Sequence, residues 1–313
     1  MPETAILEQP EPFAALTAAA RPIFVVGYQR SGTTAMYAAL CQHPRLRQSP
    51  EAMKEPWFLH EFLLGRQLHH KRPDHAGGAL DRAFSREFAR LLDRFCRQHF
   101  ARGSDRWIFG HPEDRLYLDD IFEMFPAARV LYMLRHPQES IWSNVHSPWL
   151  KFAHRGEFLS RAGLEAEWWQ RSVPTVLQAL AGGFAGRVLV VRHERMLAQP
   201  ETTARQVLAH VGEPFAAEVA RELGRVKNSS FLPENTPTAG LKGRLAQSAG
   251  DPAFCRIIAK TCGAAMRQLG YEPTCRSTRS TPVQVEEPPA DRLHAYFSRH
   301  GRRGRWLAWL LGI

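Results

Sequence analysis

Cysteine is sparse and scattered in this 313-residue chain: Cys41, Cys96, Cys255, Cys262 and Cys275. None forms a Cys-x-x-Cys pair, and an odd count leaves one thiol over if the rest bridge. That argues against a disulfide framework and for reduced thiols in a cytoplasmic setting. The 14 histidines lack a metal-ligand spacing, so no metal is expected. No apolar run approaches the length of a bilayer span. The N-terminus has no basic start followed by an apolar stretch, so no signal peptide is expected. Internal repeats are absent. Acidic residues are in the minority, 31 against 41 Lys and Arg, for a formal net charge of +10. Such a balance favours anionic partners (a nucleotide, an acidic acceptor, nucleic acid or a membrane surface) without choosing among them.

Against these absences, one stretch is dense in chemistry. Residues 23–40 read Ile-Phe-Val-Val-Gly-Tyr-Gln-Arg-Ser-Gly-Thr-Thr-Ala-Met-Tyr-Ala-Ala-Leu. The first four are apolar and partly β-branched, as in a buried strand. A turn bounded by Gly27 and Gly32 follows, and Met36, Ala39 and Leu40 then recur at helical spacing. Strand, glycine-bounded turn and helix together aim backbone N–H groups at a phosphate. Arg30 adds a fixed positive charge, and Ser31, Thr33 and Thr34 add hydroxyls. The spacing nearly matches a Walker A loop, but Thr33 stands where that loop has its Lys, and the cation sits earlier, at Arg30.

With Arg-Ser-Gly-Thr-Thr at 30–34, the chain resembles the sulfotransferases that use 3′-phosphoadenosine 5′-phosphosulfate (PAPS), most closely their bacterial branch. A second match follows the apolar run 129–134: Arg135-His-Pro-Gln-Glu-Ser-Ile-Trp-Ser143 resembles the family's 3′-phosphate motif. There an Arg gives bidentate contacts and a Ser adds a hydroxyl donor. Weaker matches complete the order. Lys54-Glu55-Pro56-Trp57-Phe58 resembles a segment whose Glu is the family's proposed general base, which is Glu55 here. Gly110-His111-Pro112 stands where relatives carry a Lys-containing segment; the Lys is missing, and His111 is a second candidate base, imidazole titrating near neutral pH. His193 takes the place of a Tyr that often contacts adenine. Phe231, Lys242 and Gly243 match residues that close over the nucleotide, although Leu241 replaces an Arg beside them.

The resemblance, over residues 22–272, implies an α/β three-layer fold with a central parallel sheet, of P-loop NTPase-like sulfotransferase architecture. It also implies sulfuryl transfer from PAPS, without a metal, to a hydroxyl or amine of a small-molecule, lipid or carbohydrate acceptor; nucleic acid is not an expected partner. Arg30, Ser31, Gly32, Thr33 and Thr34 would hold the 5′-phosphosulfate, and Arg135, Ser143 and Lys242 the 3′-phosphate. The expected organisation is an N-terminal arm (1–20), a sulfotransferase domain (21–273), a linker-like segment (274–290) and a basic amphipathic tail (291–313). That tail suits docking on the body or a peripheral contact with an anionic membrane. Two alternatives remain at this level: a P-loop small-molecule kinase, and a non-catalytic basic module binding nucleic acid or membrane.

Three expectations concern intervening segments. The residues Arg66, His69, His70, Lys71 and Arg72 read as a basic loop patch. The stripe Phe84, Phe88, Leu91, Leu92 and Phe95 reads as core, with Arg82, Arg86, Arg90, Arg94 and Arg97 off it. One helix is expected from Glu165 to Leu180, with Trp168 or Trp169 on its core side.

Overall fold

In a computed structural model, the described residues are 21–48, 57–70, 79–147, 158–225 and 248–274. The strands are β1 (Ile23–Gly27), β2 (Leu46–Arg47), β3 (Arg106–Phe109), β4 (Arg129–Leu134) and β5 (Val188–Arg192). The helices are α1 (Thr33–Leu40), α2 (Trp57–His70), α3 (Ala79–His99), α4 (Leu118–Met124), α5 (Pro137–Val145), α6 (Phe158–Gln170), α7 (Val173–Leu180), α8 (His193–Ala198), α9 (Pro200–Val211), α10 (Ala217–Leu223) and α11 (Pro252–Gln268), with a 3-10 turn at Pro112–Leu116. The chain forms two compact units, residues 1–134 with 175–227, and residues 135–174 with 228–313.

The first unit is built on a parallel sheet in the order β2-β3-β1-β4-β5. Parallel strands covered on both faces read as continuous apolar runs, and Ile23, Phe24, Val25 and Val26 are all fully buried. Alternation still decides which layer each side chain meets. Ile23 and Val25, with Ile108, Leu131, Met133 and Val191, pack with residues of α1, α8, α9 and α10. Phe24 takes the other face, where its ring lies 6.1 Å from Trp107 and 5.9 Å from Phe125. Each such buried side chain stabilises the fold by about 1.5–3 kcal/mol. Helices on both faces of one parallel sheet make this the three-layer α/β fold expected. β1 is central, and the chain leaves it toward β2 on one side and, later, β4 on the other; ligand sites form beside the carboxyl ends of strands at such a switch point.

Two segments differ from expectation here. The residues up to His70 form the helix α2 rather than a loop, and Arg66 is buried, bonded to Ser85 at 2.6 Å and paired with Asp120, Glu123 and Asp81 at 3.2–3.4 Å. A buried guanidinium needs such partners, so Arg66 belongs to the fold and not to a solvated patch. Because it reaches Ser85, the inward face of α3 is the small-residue one: Ser85, Ala89, Leu92 and Cys96 are buried. The expected stripe is therefore turned outward, with Phe84 and Leu91 each 62% exposed; Leu92 alone of its members is fully inside. Lys71 and Arg72 lie outside the described residues.

The second unit is described through α5, α6 and α11. Asp251 caps α11 by accepting the amides of Ala253 and Phe254, both at 3.0 Å. The expected 165–180 helix is two, α6 and α7, interrupted at Arg171 and Ser172; Trp169 is the tryptophan inside. Pro174 explains the break, since a proline there removes an interior amide and suits the first turn of a new helix. Among the described residues, no helix is long and apolar enough to cross a membrane.

Candidate active site

The turn after β1 is shaped by what will not fit in it. Gly27 has φ +149°, and a Cβ there would lie 2.4 Å from the Met133 carbonyl oxygen of neighbouring β4. Gly32 has φ +100°, and a Cβ there would lie 2.6 Å from the His193 ring. Only glycine meets both demands. Between them Arg30 sits at φ +66°, a left-handed conformation that costs a side-chain-bearing residue about 1 kcal/mol or more. The turn closes with the Ser31 amide donating to the Tyr28 carbonyl at 3.1 Å. Gly32 then starts α1, which has neither a side-chain cap nor an acidic residue in its first turn. Ser31 Oγ is buried with no hydrogen-bond partner among the described residues. A buried hydroxyl, a helix N-terminus with no acidic residue in its first turn and a cation on a strained backbone fit an anion.

A second segment is tied to this turn. Parallel pairing of Phe24 with Phe109 brings the ends of β1 and β3 to one edge, and Gly110 and His111 follow directly. His111 precedes the 3-10 turn and caps it, its Nδ1 accepting the Glu113 amide at 3.2 Å. Glu113 accepts a hydrogen bond from the Gln29 side chain and pairs with Arg115 at 2.9 Å. Arg115, fully buried, lies 5.6 Å over the Tyr28 ring. Against His111 stacks the ring of His60 from α2, with centroids 3.7 Å apart. His60 Nδ1 is 2.9 Å from Oδ1 of buried Asp114. Burial, with the nearby His60 and Arg115 charges, holds His111 well below the usual imidazole range. Burial pushes the Asp114 carboxyl up, while its bond with His60 pulls it back. Tyr117 nearby is pushed up to about 12, chiefly by burial and then by the Glu113 and Asp114 charges.

Nitrogen and oxygen atoms of His60, His111 and Asp114 lie within 4.8 Å of one another. The Nδ1 of each imidazole is engaged, one by Asp114 and the other by the Glu113 amide. Together with the ring stack, these contacts link the three side chains into one group.

In the second unit, Arg135 follows β4 directly and Pro137 opens α5 at an early helical position. Nε and Nη2 of Arg135 grip Glu139 Oε2 at 2.9 and 2.8 Å, which fixes the guanidinium one turn from its own backbone. Ser143 lies buried on the same helix. The start of α5 is held by Gln138, which donates to the Thr274 carbonyl at 2.7 Å and accepts its amide at 3.1 Å, and by His136, 3.1 Å from the Glu272 carbonyl.

Of the residues singled out in the sequence, the first unit brings together Arg30, Ser31, Gly32, Thr33, Thr34 and His193, and places His111 on the segment tied to that turn. Arg135 and Ser143 share α5. Glu55, Phe231, Lys242 and Gly243 lie outside the described residues. Sequence reasoning passed over His60, Glu113, Asp114 and Arg115. The one signal for the last three was the acidic-basic run that follows His111-Pro112, and His60 carried none.

The model of the sulfotransferase family described as Sulfotransfer_3 matches residues 22–217. The chain belongs to the sulfotransferase family. It is 27% identical over 216 residues to nodulation protein NoeE of Sinorhizobium fredii, covering 60% of this chain and 49% of that protein. It is 25% identical over 204 residues to a protein-tyrosine sulfotransferase of Drosophila melanogaster, covering 62% of this chain and 38% of that one. This family member therefore spans about half or less of the length of those curated relatives. The crystal structure of sulfotransferase STF9 from Mycobacterium avium aligns with a TM-score of 0.50 over 82% of this chain and 79% of that one, at 14% identity, a likeness of fold.

Proposed function

We propose that this chain transfers a sulfuryl group from PAPS to a hydroxyl or amine of its acceptor by direct in-line displacement. The observation that carries the reading is the turn after β1, where a helix N-terminus, the buried Ser31 hydroxyl and the left-handed Arg30 follow one another, a combination suited to an anion. PAPS supplies the activated sulfuryl group; the residues of the chain position it and balance its charge, as transfer of such groups demands. The amides that open α1, with Thr33 and Thr34, hold the 5′-phosphate, and Gly32 lets the backbone approach it. Arg30 neutralises negative charge that develops between sulfur and the leaving oxygen. Arg135, preset by Glu139, holds the 3′-phosphate with Ser143 and Lys242, while His193 and Phe231 flank the adenine and Gly243 allows the closing loop to come near. Glu55 and His111 are the two positions where the family motifs offer a proton acceptor for the incoming nucleophile. Family membership supports the reaction class; the two Arg motifs support the donor.

The test is PAPS consumption by the purified chain, set beside its Arg30→Ala variant. Loss of two to three powers of ten in turnover is expected, about the effect of removing one preorganised charge-stabilising group. Near-normal turnover in the variant would remove Arg30 from the mechanism. Consumption of ATP with magnesium, but not of PAPS, would favour a kinase.

A further inference from the structure

The two stacked imidazoles beside the phosphate turn are not chemically equivalent. His111 Nδ1 accepts the Glu113 amide at 3.2 Å, so in a neutral ring the proton sits on Nε2 and that nitrogen is a donor. His60 has the opposite arrangement. Its Nδ1 faces Asp114 Oδ1 at 2.9 Å, an acceptor position, so its proton sits on Nδ1 and its basic lone pair on Nε2. These tautomers are assigned from the hydrogen-bond partners. A carboxylate on one imidazole nitrogen that leaves the other basic is the base-and-orienter arrangement of general-base catalysis. Asp114 is 2% exposed, so it is a fixed orienter. The His60 side chain remains 14% exposed. The stack on His111, and the Gln29–Glu113 and Tyr28–Arg115 contacts, tie this pair to the turn that carries Arg30.

We infer that His60, oriented by Asp114, is the proton acceptor for the incoming nucleophile, and that His111 acts beside it only as a hydrogen-bond donor through Nε2. This rests on the sulfuryl-transfer reading and assigns a residue that neither sequence motif contains. His60 Nε2 takes the proton of the acceptor O–H or N–H as that atom bonds to sulfur. The electron pair of the breaking sulfur–oxygen bond leaves on the 5′-phosphate oxygen. The resulting His60 imidazolium is paired with Asp114, and His111 is never required to give up its cap.

Two measurements test this. Long-range 1H–15N NMR of the full chain labelled at histidine reads tautomers without any substrate. His60, assigned by its loss in His60→Gln, is expected as the Nδ1–H form and His111 as the Nε2–H form, and Asp114→Asn is expected to shift His60 toward Nε2–H. The second is PAPS consumption with phenol as the probe acceptor, measured beside calorimetric binding of 3′,5′-adenosine bisphosphate. His60→Gln is expected to lose about 100-fold or more in turnover while nucleotide affinity stays within about threefold, a general-base effect; His111→Gln is expected to lose less. A His60 ring found as Nε2–H, or a His60→Gln enzyme that binds nucleotide and turns over normally, would overturn the inference alone and return the role to Glu55 or His111. Absence of nucleotide binding in the unaltered chain would overturn the donor reading and the catalytic role of His60 with it.

Discussion

The turns after β1 and β4 carry the two arginine motifs, and they are built in opposite ways. After β1, shape comes from backbone: Gly27 and Gly32 occupy positive φ where a Cβ has no room, and Arg30 itself is held at φ +66°. After β4, shape comes from side chains: Arg135 is in an ordinary conformation, and Glu139 on the same helix fixes its guanidinium at 2.8–2.9 Å. A backbone cradle tolerates almost no substitution but contributes directed amides whatever the side chains are. A side-chain clamp is easier to alter without loss of fold, and it adds charge and bidentate geometry. Under the proposed function, the first would hold the phosphate that carries the reacting group and the second a phosphate that only has to be recognised.

The contrast can be broken most forcefully at Gly27. Gly27→Ala sets a Cβ against the Met133 carbonyl in a backbone conformation alanine avoids, so a loss of about 4 kcal/mol or more is expected in denaturant unfolding. A loss below about 1 kcal/mol would mean the turn is not backbone-defined. Arg30→Gly sharpens the point. It removes the charge but relieves a left-handed side-chain-bearing residue, so unfolding stability should hold or rise by up to about 1 kcal/mol. Turnover should still fall as it does in Arg30→Ala. Stability falling together with activity would make Arg30 a structural residue.

The smallest effect concerns His111, beside the first turn. Its folded pKa is depressed by burial and neighbouring charge, so it stays neutral when folded while the unfolded imidazole gains a proton below about pH 6.5. The unfolded state then binds more protons, and stability falls as pH drops through the window below that value. Asp114, pushed up by burial, acts oppositely: the folded state holds its proton longer, so its contribution declines as pH rises above the ordinary carboxylate value toward its folded pKa. His111→Gln should flatten the stability slope just below pH 6.5 by up to about 1.4 kcal/mol per pH unit. Urea melts at pH 5.5, 6.0 and 6.5 would show it, and an unchanged slope would mean His111 is not held neutral.

Both turns were legible in the sequence because each is a local device. A run of apolar residues, a glycine or proline at a fixed offset and a cation lie within a dozen positions, and the parallel sheet follows from the same strand–helix alternation. What escaped was whatever depends on a distant partner. His60 is an unremarkable helix residue until Asp114, 54 positions away, orients it. Arg66 reads as a surface charge until Asp81, Asp120 and Glu123 converge on it. The period of α3 was readable, but not which side faces inward. Phe84 and Leu91 outweigh Ser85 and Ala89 in hydrophobicity, yet a buried arginine needing a hydroxyl turns the small-residue side in. Hydrophobic periodicity gives a helix its phase relative to itself and leaves its partner to tertiary contacts.

The proposed function requires the chain to bind a nucleotide that carries both a 5′- and a 3′-phosphate. Calorimetric titration of the purified chain with 3′,5′-adenosine bisphosphate, beside AMP and ATP, tests it directly. Tight binding that prefers the 3′-phosphorylated nucleotide is expected, with the preference over AMP shrinking about 10–100-fold in Arg135→Ala, as loss of a charge-assisted phosphate contact requires. Equal affinity for all three nucleotides, or a preference that survives Arg135→Ala, would contradict it.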